Sequence, residues 1–145
     1  MNAIGIVAIG FLILEAANVV TLYFFPGSKY ANGIGVFKAW ETSKQDPHVH
    51  DLVKYLVNWV AGTKLIFILL LIVILFTAQE QTLFYSGLAL VISIAAFYWR
   101  LFPLIRKMDR DNQIDPKNYS ATLGWMILAF IAVFVAAVVL SLLSR

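Results

Sequence analysis

Three ionisable residues interrupt stretches that are otherwise apolar, and any chemistry in this chain has to be sought around them. Glu15 closes the run Phe11-Leu12-Ile13-Leu14, Lys64 precedes Leu65-Ile66-Phe67-Ile68, and Arg100 follows Tyr98-Trp99. A charge in an apolar medium either neutralises by shifting its pKa or finds a partner. A carboxylate placed in this way can bind and release a proton, and a lysine or arginine beside it can hold it ionised. Asn18 lies one helical turn beyond Glu15, and Asn58 lies on the same stretch as Lys64. The five residues Glu15, Asn18, Asn58, Lys64 and Arg100 form the candidate buried polar cluster, a proton or ligand site if it acts at all.

The other chemical vocabularies are sparse. His48 and His50 are the two histidines of the chain. On a helix, residues two apart point about 200° from each other, so only an extended His48-Val49-His50 would turn both rings to one metal. They are weak metal candidates, and the more natural role is pH-sensitive capping at a helix mouth. The absence of cysteine removes disulfides, thiolate catalysis, iron–sulfur ligation and cysteine zinc sites. No GxSxG, P-loop or GxGxxG is present, and Asp109 with Asp111 is too little for a metal-dependent lipid transferase. We therefore expect no catalytic residue, no cofactor and no nucleic-acid partner.

Composition says which elements must carry these residues. The chain has 145 residues, 61% of them hydrophobic and 13% charged, with a mean hydropathy of +0.84. Soluble domains are nearer half apolar and a quarter charged. The expectation is a single all-α integral membrane domain, a bundle of four transmembrane helices. The spans fall at about 3–25, 52–78, 82–105 and 121–143, each near the roughly 20 apolar residues that a crossing needs. The first could be mistaken for a signal peptide, but it lacks a basic start and Glu15 interrupts it.

Orientation follows from the bases. The connections at about 26–51 and 106–120 hold Lys29, Lys38, Lys44, Arg106, Lys107, Arg110 and Lys117, with Lys54 just inside the second span, whereas only Arg145 lies on the other side. By the positive-inside rule both connections are cytoplasmic and both termini outside, in a plasma or bacterial-type inner membrane. At 1.5 Å rise per residue, Glu15 and Lys64 each fall roughly 18 Å deep from opposite faces. Arg100 falls roughly 8 Å, and Asn18 and Asn58 about 9–11 Å, from the cytoplasmic side. The expected contact is a Glu15–Lys64 ion pair supported by Asn18, serving either to fix helix register or to bind protons in a transport path; a lysine snorkelling to the interface is the third reading.

In the first connection Ile34, Val36, Phe37 and Trp40 recur at helical spacing opposite Lys38, Glu41 and Lys44. That pattern predicts a short amphipathic helix lying in the membrane interface. Trp40 on this helix, with Trp59 and Trp99 in the second and third spans, are the expected lipid-facing or interfacial anchors. The second connection reads as a solvated linker. Both connections end in Asp-Pro, at Asp46-Pro47 and Asp115-Pro116, a helix-start signal. Both also open on Phe-Pro, so the chain reads alternatively as two tandem hairpins. Small residues recur at Ser86, Ala89, Ser93 and Ala96, ending on Arg100, and at Ala129, Ala132, Ala136 and Ser141, as in helix–helix contacts in lipid.

A lone glutamate midway along the first of four helices, in Phe11-Leu12-Ile13-Leu14-Glu15, resembles the small multidrug resistance exporters. The resemblance implies a glutamate that exchanges protons for cationic drugs in an antiparallel dimer. It covers about ten residues. The chain departs from that pattern in its 26-residue first connection and in Lys64 and Arg100, which would repel a lipophilic cation. The leading expectation is a non-enzymatic structural or accessory membrane subunit, oligomeric or bound to a membrane partner, with anionic lipid headgroups along its basic loops. The alternative is a small proton-coupled transporter or channel built on Glu15, Lys64 and Arg100.

Single cysteines in this cysteine-free chain test the orientation. An impermeant thiol reagent outside intact cells is expected to label Gln79→Cys and to spare Gln113→Cys; the opposite pattern would invert every depth given above.

Overall fold

In the computed structural model residues 3–143 are described. Arg145, counted above on the outer side, and the two-residue N-terminal tail lie outside them. The chain is 83% helical, without strands among the described residues. The helices are α1 (Ala3–Phe24), α2 (Lys38–Ser43), α3 (Pro47–Thr77), α4 (Glu80–Ala95), α5 (Phe97–Arg110) and α6 (Tyr119–Leu143), with a single 3-10 turn at Ile34–Val36. α4 and α5 follow one another with a break at Ala96, where the Trp99 N–H takes the Ala96 carbonyl at 3.1 Å. Counting α4 and α5 together, four helices are long and apolar enough to cross a membrane.

Local chemistry sets the ends. Asp46 caps α3 as its sequence predicts, its Oδ1 accepting from the His48 N–H at 2.9 Å and the Val49 N–H at 3.4 Å, with Pro47 in the first helical position. The second Asp-Pro does something else. α6 begins only at Tyr119, and its first turn is capped from α5: Asp109 accepts from the Asn118 and Ser120 N–H groups and from Ser120 Oγ, at 3.1, 2.9 and 2.6 Å. The two Phe-Pro pairs also diverge, since Pro26 follows the end of α1 whereas α5 runs through Pro103 to Arg110. Arg106, Lys107 and Arg110 therefore stand on helical backbone.

α1 packs along α3 on one side and α6 on the other, α4 packs on α6 and touches α1, and α3 meets α4 sparsely. The centre is filled by Ala8, Leu71, Leu90 and Phe134, the last fully buried. Phe11 stands edge-on to Phe67, Phe130 and Phe134 at 6.3, 5.5 and 5.6 Å between ring centres, the geometry that the ring quadrupoles favour. Of the expected small-residue stripes only Ser141 is buried, with Ser86 half-buried. Gly87 and Ala137 are buried beside Ile4 and Val138, whereas Ala89, Ser93, Ala96, Ala129, Ala132 and Ala136 face outward.

The connections fold onto each other. Val36, Ile105, Ile114 and Leu123 form a second core. An isolated antiparallel bridge joins Phe37 to Ile114, with Lys38 N–H donating to the Gln113 carbonyl at 2.9 Å and Asp115 N–H to the Val36 carbonyl at 2.8 Å. Lys29 closes the contact on Asp115 at 2.5 Å. The second connection is thus a docked segment and not a freely solvated linker: Ile114, the lone large apolar residue between α5 and α6, is 1% exposed. The amphipathic pattern at 34–44 is split by extended backbone at Phe37 into the 3-10 turn and the six-residue α2. Trp40, expected as an interfacial or lipid-facing anchor, is instead buried, its ring centre 4.8 Å from that of His50 at a 50° tilt and lying over Gly27.

In this end of the molecule two backbone segments cross closely. Gly35 N–H donates to the Ser28 carbonyl at 3.0 Å, and a Cβ on Gly35 would come within 1.9 Å of the Gly27 carbonyl oxygen. Gly35→Ala is expected to lower stability by about 2 kcal/mol, as overpacking against backbone does. Gly10→Ala, where an added Cβ meets nothing within 4 Å, should leave the melting temperature unchanged or raised. Thermal unfolding in detergent compares the two; equal effects would contradict the crossing.

Candidate functional site

α1 and α3 run antiparallel side by side, which brings Glu15 and Lys64 to the same level. Lys64 Nζ donates to Glu15 Oε2 at 2.7 Å and to Asn18 Oδ1 at 2.6 Å. The glutamate and asparagine are three residues apart, so they share one face of α1 and present two oxygens to one ammonium. Asn18 is 5% exposed. The side chains of Lys64 and Glu15 keep 28% and 21% of their surface.

The asparagine then spends its amide protons on the loop. Asn18 Nδ2 donates to the Ala31 carbonyl at 2.7 Å and to the Asn32 carbonyl at 3.1 Å. Both of these residues have positive φ, 49° and 56°, a left-handed turn that costs Ala31 more than it costs an asparagine. The turn is what aims both carbonyls back at α1. Asn32 Oδ1 in turn accepts from the Tyr119 hydroxyl at 2.8 Å, at the start of α6. One continuous chain of polar contacts therefore links α3, α1, the first connection and α6. Among the described residues no buried side-chain nitrogen or oxygen lacks a hydrogen-bond partner.

Two residues of the expected cluster stand apart from it. Arg100 is exposed on α5, its guanidinium over the ring of its neighbour Trp99 at 5.4 Å, because α5 packs on α6 and not on α3. Asn58 is exposed on α3 and lines a cleft with Leu22, Tyr23, Pro26, Lys54 and Val57. It falls outside the network because positions 57 and 61, not 58, form the buried seam with Leu22. A second, almost wholly apolar cavity lies on the other side of that seam, against Phe37, Trp40, Leu56, Val60 and Met108. Neither cavity is lined by Glu15 or Lys64.

His50 is held within the fold, its Nδ1 2.8 Å from the buried Ser43 Oγ and its ring on Trp40. His48 is exposed on the first turn of α3. Trp59 and Trp99 are 61% and 76% exposed. The Lys29 ammonium holds the Asp115 carboxyl below the usual carboxylate range, first through its hydrogen bond and then through its charge. A depressed carboxyl pKa supports the folded state above the unfolded pKa, and that support is lost as pH falls through the folded value.

The sequence reading missed the Ala31-Asn32 turn, Tyr119 and the Lys29–Asp115 clasp. The Asn32-Gly33 dipeptide, a turn signal, was the one local clue to the first; nothing local marks the other two. No protein-family model matches the chain, and no curated protein or solved structure is significantly similar to it.

Removing one member of the pair leaves the other stranded, which in a buried setting costs about 3–5 kcal/mol, whereas removing both is often near neutral. With part of each side chain exposed, Glu15→Gln and Lys64→Met are each expected to cost about 3 kcal/mol, and the double variant to recover most of that loss. Melting of the four proteins in detergent measures it. Strictly additive losses would mean that the two side chains do not meet.

Proposed function

We propose that the chain is a small integral membrane protein whose four long helices cross the bilayer, with both termini outside and both connections cytoplasmic. We propose further that it works as a non-enzymatic structural or accessory subunit. The observation behind this reading is the closure of the Glu15–Lys64–Asn18 network. Each charge is answered inside the chain, and neither of the two cavities described above is lined by either one. A pair that satisfies itself fixes the register of two helices and offers no path to a solute.

The loop end supports the same reading. The bridge at Phe37 and Ile114 and the Lys29–Asp115 pair join the two connections into one firm surface with bases around it. That surface is suited to a cytoplasmic partner or to anionic headgroups. The outward face of α3, with Ile66, Leu69, Leu70 and Val73 more than half exposed, calls for lipid, a second copy or another membrane subunit to cover it.

A second reading rests on one specific observation, the residual exposure of Glu15 and Lys64. A carboxylate that meets water at intervals can carry protons. Reconstitution separates the two. Liposomes holding the purified protein and an internal pH dye are given a pH gradient. Under the structural reading the gradient decays as in empty liposomes, and identically for Glu15→Gln. A decay that the protein accelerates and Glu15→Gln abolishes would replace it with proton-coupled transport.

A further inference from the structure

The cleft beside Asn58 has the makings of a binding site that the polar network does not use. It lies between the loop-side ends of α1 and α3, is about 180 Å³ in volume, and is lined by Leu22, Tyr23, Pro26, Lys54, Val57 and Asn58. A water molecule takes about 30 Å³, so the space suits a larger group. Lys54 and Asn58 are four residues apart and share a face of α3; Tyr23 comes from α1. Among the described residues neither the Tyr23 hydroxyl nor the Asn58 amide makes a hydrogen bond. Lys54 has an acidic neighbour in Asp51, but at 3.9 Å the carboxylate is beyond hydrogen-bond reach.

The lining thus presents a cation and two neutral groups able to donate, without a carboxylate among them. Its back wall is apolar, made by the buried Leu22 and Val57. Donors around an oxyanion with carbon behind them fit a phosphate ester better than a free anion. Depth agrees. By helical rise Lys54 and Asn58 lie roughly 3 and 9 Å inside the expected start of the span at Leu52, where headgroups meet the acyl region. The exposed rings of Tyr55 and Trp59, 6.3 Å apart on the same helix, are residues favoured at that level.

We propose that this cleft holds the phosphodiester of an anionic phospholipid, with Lys54 pairing the charge and Tyr23 and Asn58 donating to its oxygens. The inference rests on the membrane reading above, but the two fail separately. Labelling at Gln79→Cys and Gln113→Cys tests orientation, and a chain that labels as expected yet ignores the lipid loses only the site.

The full chain in neutral detergent is titrated with short-chain phosphatidylglycerol, phosphatidylcholine of equal chain length and inorganic phosphate, and its melting temperature is followed. Phosphatidylglycerol is expected to raise it saturably, well beyond the other two. Lys54→Met and Tyr23→Phe should each weaken the apparent affinity about tenfold, the size of one charge-assisted contact. Lys107→Met, at an exposed base far along the chain, should not. Lys54 and Asn58 are exposed, so Asn58→Leu gives a further variant whose unliganded melting should match wild type. Equal stabilisation by phosphatidylcholine, a full response to inorganic phosphate alone, or a phosphatidylglycerol response that survives Lys54→Met would each overturn the assignment.

Discussion

The rest of the structure depends on how one ammonium group is satisfied. Lys64 sits on a long helix with most of its surface uncovered, among leucines and isoleucines, and it needs acceptors. α1 supplies two, Glu15 and Asn18, and the contact sets the longitudinal register of α1 against α3. A shift of one residue along either helix would rotate the partner by about 100° and move it by about 1.5 Å, so the pair tolerates little sliding. Apolar packing alone would not be so selective, since α3 offers similar side chains all round. The charges act as a registry device, the best-attested use of buried polar groups.

Asn18 carries that constraint outward. Its carbonyl oxygen belongs to the charge pair and its amide belongs to the Ala31-Asn32 turn. The strained φ at Ala31 is held because two carbonyls share one good donor group. Once the turn is placed, Asn32 meets Tyr119 and Lys29 meets Asp115, so the first connection is moored to α6 and to the segment before it. The loop end is therefore ordered by a polar chain that begins inside the helical layer, with the Val36–Ile114 core packed beneath it. Neither alone would be sufficient: the second core is small, and surface ion pairs such as Lys29–Asp115 add little by themselves.

How much of this was readable follows from the range of each interaction. Four long apolar segments, the Asp46 cap and the pairing of Glu15 with Lys64 and Asn18 rest on composition, local spacing and a hairpin that makes α1 and α3 neighbours, so they were legible. Arg100 was misplaced because depth along a helix says nothing about which side faces which neighbour; α5 turned out to serve α6. Trp40 was misread for a similar reason. The amphipathic pattern at 34–44 does have apolar residues to bury, but they are turned inward, Trp40 toward His50 and Gly27, Val36 toward Ile105 and Ile114, and Ile34 toward Leu22 and Val57. Asp115 shows the limit of motif reading, since the same dipeptide that caps α3 at Asp46 serves a distant lysine in the second connection. Contacts such as Lys29–Asp115, between residues far apart in sequence, have no local signature.

The lopsided packing bears on what this arrangement is for. α1 is the most enclosed of the long helices, with a third of its most apolar window buried, whereas the corresponding windows of α3 and of α4 with α5 are only 17% and 11% buried. A helix so apolar and so little covered would be a severe liability in water. Under the membrane reading it is unremarkable, because lipid supplies the missing contacts and leaves polar and steric terms to decide which helices touch. That accounts for the division of labour in the fold. α1, α4 and α6 associate through Gly87, Ala137 and the phenylalanines around Phe134, while α3 adds Phe67 and Leu71 to that core and is held along α1 by its ion pair and the short seam of Leu22, Val57 and Ala61. A helix attached along one edge by a specific polar contact, with its opposite face open, can receive a lipid or a further subunit without disturbing the remaining three.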